Sequence, residues 1–327
     1  MKKIYLILGV FAVIFTSCDT DFDVNAEWEE VIVVYGLLDA GDEMKTQQIK
    51  ISKAFLGKMD ALQMAQYADS INFDQGELAV KVIRVKNNGI RDTITLDEVP
   101  TLRNDGVFND SIIVYTFENN NFLNSNSEYE LLIKNNITGN EVSSITDVIS
   151  GFDFDMGNGY PFGFIKTWIP GSPSATEFAS ANLTWGQNYP DKGEQYQIDL
   201  IFNYKENNIV KDLIYTSLVL EGTSQYAFEG EKFFNFLKNE LVQDPLIERE
   251  FLSIDLMMTV GSEDLKTYRI INEEITGIVQ ERPQFTNINN GIGLFSSRFT
   301  KTRKGFDFAG RTIDYLISID GLDRNFQ

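Results

Sequence analysis

The chemistry open to this chain is bounded by two residue types: its 327 residues hold one cysteine, Cys18, and no histidine. Without histidine there is no serine–histidine or cysteine–histidine nucleophile pair, no histidine-held haem and none of the usual zinc sites. A lone cysteine makes no disulfide within the chain, and no glycine-rich phosphate loop of the Walker or dinucleotide-binding type occurs. Carboxylates, lysine, tyrosine and serine remain. The 48 Asp and Glu residues could supply a carboxylate pair for glycoside hydrolysis, but no spacing singles one out. Asp153, Asp155 and Asn158, set among glycines, offer oxygen ligands of the kind calcium takes, without the twelfth-position glutamate of an EF-hand loop. The expectation is therefore no catalytic residue, no metal and no cofactor. The alternative is a carboxylate-based surface enzyme such as a glycosidase, with two acids about 5–10 Å apart across a cleft.

Residues suited to holding a partner are few. Trp168 lies in an aromatic stretch and could stack on a sugar or pack between domains. Arg298, Lys301, Arg303 and Lys304 form the one basic cluster of an acidic protein, read as a solvated face or as contacts for an acidic partner or lipid phosphate. The formal net charge is −20. Such a surface repels phosphate backbones, so nucleic acid is not an expected ligand.

Cys18 has a more specific setting. Lys2 and Lys3 precede an apolar run from Ile4 to Phe15, followed by Thr16, Ser17 and the cysteine. A charged start, a short apolar segment and small residues before a cut make an export signal. The run is shorter than the roughly 20 apolar residues that a spanning helix needs. Phe15-Thr16-Ser17-Cys18 fits a lipobox, with cleavage before the cysteine and a lipid on its sulfur, although Leu and Gly or Ala are commoner at the flanking positions. Loss of residues 1–17 removes two lysines and no acids, leaving a charge near −22. Asp19, Asp21 and Asp23 follow as an acidic tag. Such residues retain some lipoproteins at an inner membrane and, in the Bacteroidota, resemble the signal for passage to the cell surface.

The elements that position these residues read as strands. Val31–Tyr35 is a β-branched run stopped by Gly36, with Gln48–Ser52 as its hairpin partner, and Asp60–Ala68 has the spacing of a short helix or insertion. Leu78–Val85 alternates, Asn88-Gly89 supplies a turn, and Ile94 and Leu96 return. Ile112–Tyr115, Tyr129–Ile133 and Glu141–Val148 follow. Gly151–Pro173, rich in Gly, Pro and aromatics, reads as a packed linker. Ala181–Trp185, Tyr196–Tyr204, Ile214–Leu220 and Phe251–Val260 continue the strands. Two amphipathic helices interrupt them: Glu231–Leu241, and one from the N-cap Ser262 carrying Leu265, Tyr268, Ile271, Ile275 and Ile278, both stripes read as core. The expected fold is mainly β, two immunoglobulin- or fibronectin-like β-sandwich domains with two helices inserted in the second. The divisions are a signal peptide (1–17), a lipidated tether (18–28), a first domain (29–150), a linker (151–173) and a second domain (174–327).

Val31–Asp39 with Ile49–Gly57, and Asn287–Ser297 with its Gly291 and Gly293, resemble segments of a Bacteroidota lipoprotein family, the domain-of-unknown-function 4249 family. The resemblance implies an outer-membrane lipoprotein, often encoded beside TonB-dependent transporters, and supplies no catalytic residue. It makes a cell-surface, lipid-anchored and non-enzymatic accessory or ligand-capture partner of a TonB-dependent β-barrel the leading expectation. A structural envelope lipoprotein is the further alternative. The two glycines are read as permitting positive φ or close backbone approach.

Overall fold

A computed structural model describes residues 31–41, 45–54, 72–102, 111–156, 162–172, 175–185, 190–273 and 284–327. Cys18, Asp19, Asp21, Asp23, Asn158 and the Asp60–Ala68 segment lie outside the described residues. The first half forms β1 (Val31–Asp39), β2 (Thr46–Ala54), β3 (Leu78–Lys86), β4 (Arg91–Thr95), β5 (Asp97–Leu102), β6 (Ser111–Glu118), β7 (Ser127–Asn135) and β8 (Glu141–Asp147). Short strands β9 (Asp155–Met156), β10 (Ile165–Thr167), β11 (Glu177–Phe178) and β12 (Ser180–Thr184) follow. Then come β13 (Gln195–Glu206), β14 (Ile209–Thr216), β15 (Leu220–Glu221), β16 (Gln225–Glu229) and helix α1 (Gly230–Glu240). The chain closes with β17 (Arg249–Gly261), α2 (Glu263–Asn272), β18 (Gly291–Phe306) and α3 (Gly310–Ile317).

The fold is mainly β and built as sandwiches. A nine-stranded sheet has the order β14-β13-β17-β18-β1-β2-β6-β5, with β15 also on β13, and a four-stranded sheet has the order β4-β3-β7-β8. The alternation of β-strand side chains turns Ile32, Val34, Ile49 and Ile51 of the large sheet toward Val80, Val82, Leu131 and Ile133 of the small one, and all are buried. A second core packs Tyr196, Ile198, Leu200 and Phe202 of β13, with Leu256 and Met258 of β17, against Leu183, Phe228 and α1. The α1 stripe expected from the sequence is buried through Phe233, Phe234 and Leu237. Burying one such phenylalanine contributes about 1.5–3 kcal/mol. Trp185 and Tyr196 are both buried, with ring centroids 5.3 Å apart.

The first core takes the residues up to Val148 together with Ile288 and Phe295, and the second takes its buried residues from Ile149 on, yet the large sheet crosses from one to the other without a break. The crossing is the parallel pair β1–β18, in register from Ile32 with Gly291 to Asp39 with Arg298. Parallel neighbours need a crossover connection, and here nearly the whole chain supplies it. Within the aromatic stretch Phe152, Phe154, Phe162 and Phe164 are buried in the second core.

Helix α2 departs from expectation. Leu265, Tyr268 and Ile271 are only half-buried and the helix has no buried residue, because it lies on the outer face of the sheet with one side covered. Ile275 and Ile278 lie outside the described residues. Helix α3 was not read from the sequence; it buries Thr312, Tyr315 and Leu316 in eight residues. Among the described residues no helix is long and apolar enough to cross a membrane.

Candidate functional site

The β1–β18 seam is where distant parts of the chain meet, and two glycines allow it. Gly293 has φ +115°, and a Cβ there would sit 2.0 Å from the Val34 carbonyl oxygen. At Gly291 a Cβ would come within 2.7 Å of the Ile32 carbonyl oxygen. The Gly-x-Gly pattern is thus a requirement of close strand approach. Asn287 fastens the approach to β18: its Oδ1 accepts from the Phe295 N–H (2.9 Å), and its Nδ2 donates to the Phe295 carbonyl (2.7 Å) and to Asp264 Oδ2 (2.9 Å). The last bond holds the first turn of α2 to the seam. Ser262 stands at the N-cap without capping; its hydroxyl instead meets that of Ser296 at 2.5 Å.

At the far end of the seam Asp39 is 1% exposed and fully engaged. Its carboxylate accepts from Arg298 Nε (3.0 Å), the Thr300 N–H (3.1 Å), the Thr300 hydroxyl (2.8 Å) and the Gly41 N–H (2.9 Å). Gln47 bonds both backbone groups of Asp39, accepting from its N–H at 2.7 Å and donating to its carbonyl at 2.9 Å. Gly41 has to be glycine here, since a Cβ would lie 2.1 Å from the Thr300 carbonyl oxygen.

Between this knot and α2 runs a groove of about 360 Å³, lined by Tyr35, Leu37, Gln48, Leu265, Tyr268 and Arg298 among others. The size falls within the about 300–1,000 Å³ typical of small-molecule clefts. Tyr35 and Tyr268 meet edge to face, centroids 6.1 Å apart and planes at 73°, and Tyr35 remains 44% exposed. Partial burial pushes the Tyr268 hydroxyl up to about 12, reinforced by its hydrogen bond with Tyr35. Tyr268 therefore keeps its proton near neutral pH, and the two rings offer aromatic surface with polar tips.

The basic cluster is not one surface. Strand alternation puts Arg298 on the groove face and Lys301 and Arg303 on the opposite face, the side of Phe299. Arg303 pairs with Asp153 (2.8 Å) and lies 3.8 Å from Asp155, and its guanidinium sits over the Phe154 ring. The Arg303 hydrogen bond holds the Asp153 carboxyl below the usual carboxylate range, against a smaller opposing effect of burial. The two aspartates read as calcium ligands therefore face a guanidinium. Lys301 is half-buried and Lys304 exposed. Trp168 is half-buried, edge-on to Tyr315 at 6.1 Å, and packs onto the second core instead of between domains. Its indole N–H is buried without a hydrogen-bond partner. Tyr35, Gln48 and Tyr268 were not singled out in the sequence: Tyr35 ends a continuous β-branched run, and Tyr268 read as core. The alternation from Val31 to Tyr35 becomes visible only once burial shows which face is outward.

Comparison with protein-family models, curated proteins and solved structures finds no match to this chain.

Proposed function

We propose that the chain is a non-enzymatic lipoprotein of the cell surface, held on the outer membrane by acylated Cys18. It acts as an accessory or ligand-capture partner of a TonB-dependent β-barrel transporter. The observation that carries this reading is the front of the sequence: the Lys-led apolar run, the lone Cys18 and the acidic tag Asp19, Asp21 and Asp23. The tyrosine groove supports the capture part, since it offers exposed aromatic surface beside the polar groups of Gln48 and Arg298.

The test uses intact cells carrying a tagged copy. Surface protease should digest the tagged protein, and purification in mild detergent should recover a β-barrel transporter with it. Cys18→Ala should release the protein from membranes or leave it unprocessed. Unchanged membrane attachment of that variant would remove the lipid anchor from the proposal. Protease protection with no barrel recovered would remove the transporter role.

A further inference from the structure

The lining of the tyrosine groove runs against the character of the chain. The protein carries a formal net charge of −20, yet among the described residues that line the groove Arg298 alone is charged, and it is a cation. Most of the remaining wall is apolar: the rings of Tyr35 and Tyr268 and the side chains of Leu37, Leu265 and Leu294. These groups come in order along the groove. Tyr35, Leu37 and Asp39 share one face of β1, and Tyr268 meets Tyr35 at one end. Leu265, about one helical turn before Tyr268, lies over Gly261, where a Cβ would come 3.0 Å from it. Gly261 in turn stands opposite Arg298 in the β17–β18 register. The aromatic pair marks one end, the guanidinium the other, and leucines form the wall between.

The guanidinium is held by one nitrogen. Buried Asp39 takes the Nε hydrogen of Arg298, and Thr300 and Gly41 supply its other donors. Among the described residues neither Nη group of Arg298 donates a hydrogen bond, and the side chain is 35% exposed. A guanidinium fixed through Nε presents its Nη pair as a fork that matches a carboxylate. At the other end, exposed Tyr35 beside Tyr268 favours a third ring, since aromatic rings pair edge to face or offset with a gain beyond the area they bury. Tyr35 and Asp39 are four residues apart on β1, about 13 Å at about 3.3 Å per residue. The Arg298 side chain covers part of that span, which leaves about two or three carbons between a bound ring and its acid group.

We propose that the tyrosine groove binds an arylalkanoate, an aromatic ring joined by a short alkyl chain to a carboxylate. The ring lies against Tyr35 and Tyr268, the chain along Leu37 and Leu265, and the carboxylate accepts from the two Nη groups of Arg298. The inference rests on the reading of this groove as the capture site and is independent of any transporter.

The experiment is calorimetric titration of the detergent-purified full chain with 3-phenylpropionate, its uncharged amide 3-phenylpropionamide, and hexanoate, which keeps the charge without the ring. The expected result is saturable one-to-one binding of 3-phenylpropionate, with the amide and hexanoate each at least tenfold weaker. Arg298→Met should weaken 3-phenylpropionate at least tenfold and leave the amide unchanged, which a merely structural role for Arg298 would not do. Tyr35→Ala, at an exposed ring, should weaken the acid at least fivefold, and Tyr35→Phe should restore binding to within about twofold. The proposal is overturned by no saturable binding, by equal binding of the acid and its amide, by equal binding of the acid and hexanoate, or by affinities that Arg298→Met and Tyr35→Ala leave unchanged. Binding as expected with no barrel recovered from cells would remove the transporter role and keep the ligand class. Recovery of a barrel with no binding would remove the ligand class alone.

Discussion

Replacing Asp39 by alanine should cost about 3–5 kcal/mol, the range for removing one partner of a buried, hydrogen-bonded ion pair. The carboxylate is 1% exposed and receives four hydrogen bonds, two of them from the backbone N–H groups of Gly41 and Thr300. Each orphaned buried donor costs about 1–3 kcal/mol. Incomplete loss of all four and partial entry of water keep the total near the ion-pair range instead of the sum. The mirror change is cheaper. The Arg298 side chain is 35% exposed, so part of its interaction is already shared with solvent. In Arg298→Met the Asp39 carboxylate also keeps its bonds from Thr300 and Gly41, and the cost should be about 1–2 kcal/mol. Asp39→Asn preserves shape and one acceptor oxygen and should fall between the two. Urea unfolding followed by tryptophan fluorescence reads all three midpoints, and at about 2 °C per kcal/mol for a chain of this size Asp39→Ala should melt about 6–10 °C lower. The reasoning fails if Asp39→Ala costs under about 1 kcal/mol, or if Arg298→Met costs as much as Asp39→Ala.

Gly293→Ala should cost at least about 3 kcal/mol, since it combines a strained φ with backbone overlap at Val34. Gly305→Ala, at φ +80° with open space around the added methyl, should cost about 1 kcal/mol, and equal unfolding midpoints for the two would refute the seam argument. Glu206 is held below its ordinary carboxyl value of 4.5, first by the hydrogen bond from Lys211, with burial opposing and Arg249 adding to the lowering. Its stabilisation is therefore complete above about pH 5 and lost as pH falls through the folded-state value, because the unfolded chain takes up the proton first. Glu206→Gln should flatten the fall of stability below about pH 4.5, and an acid limb identical to that of the unsubstituted protein would count against this pair.

What the sequence determined by itself is whatever has a local period or a local steric signature. The run Tyr196, Ile198, Leu200, Phe202 reads as a strand with one buried face, and all four side chains are 0% exposed. The Phe233, Phe234, Leu237 stripe reads as a helix packed on a core, and Gly89 takes the positive φ that its turn requires. The absence of histidine, the lone Cys18 and the acidic composition need no structure at all. Tertiary structure alone decided the rest. Asp39 and Arg298 stand 259 positions apart, and the strands that carry them pair through backbone groups that every residue possesses, so no residue type announces the ladder. Arg298, Lys301, Arg303 and Lys304 look like one basic patch in line, but a strand sends successive side chains to opposite faces, and the partners Asp39 and Asp153 come from far away. The tyrosine groove follows the same rule: Tyr35 and Tyr268 become neighbours only when β18 closes against β1 and carries α2 to the seam.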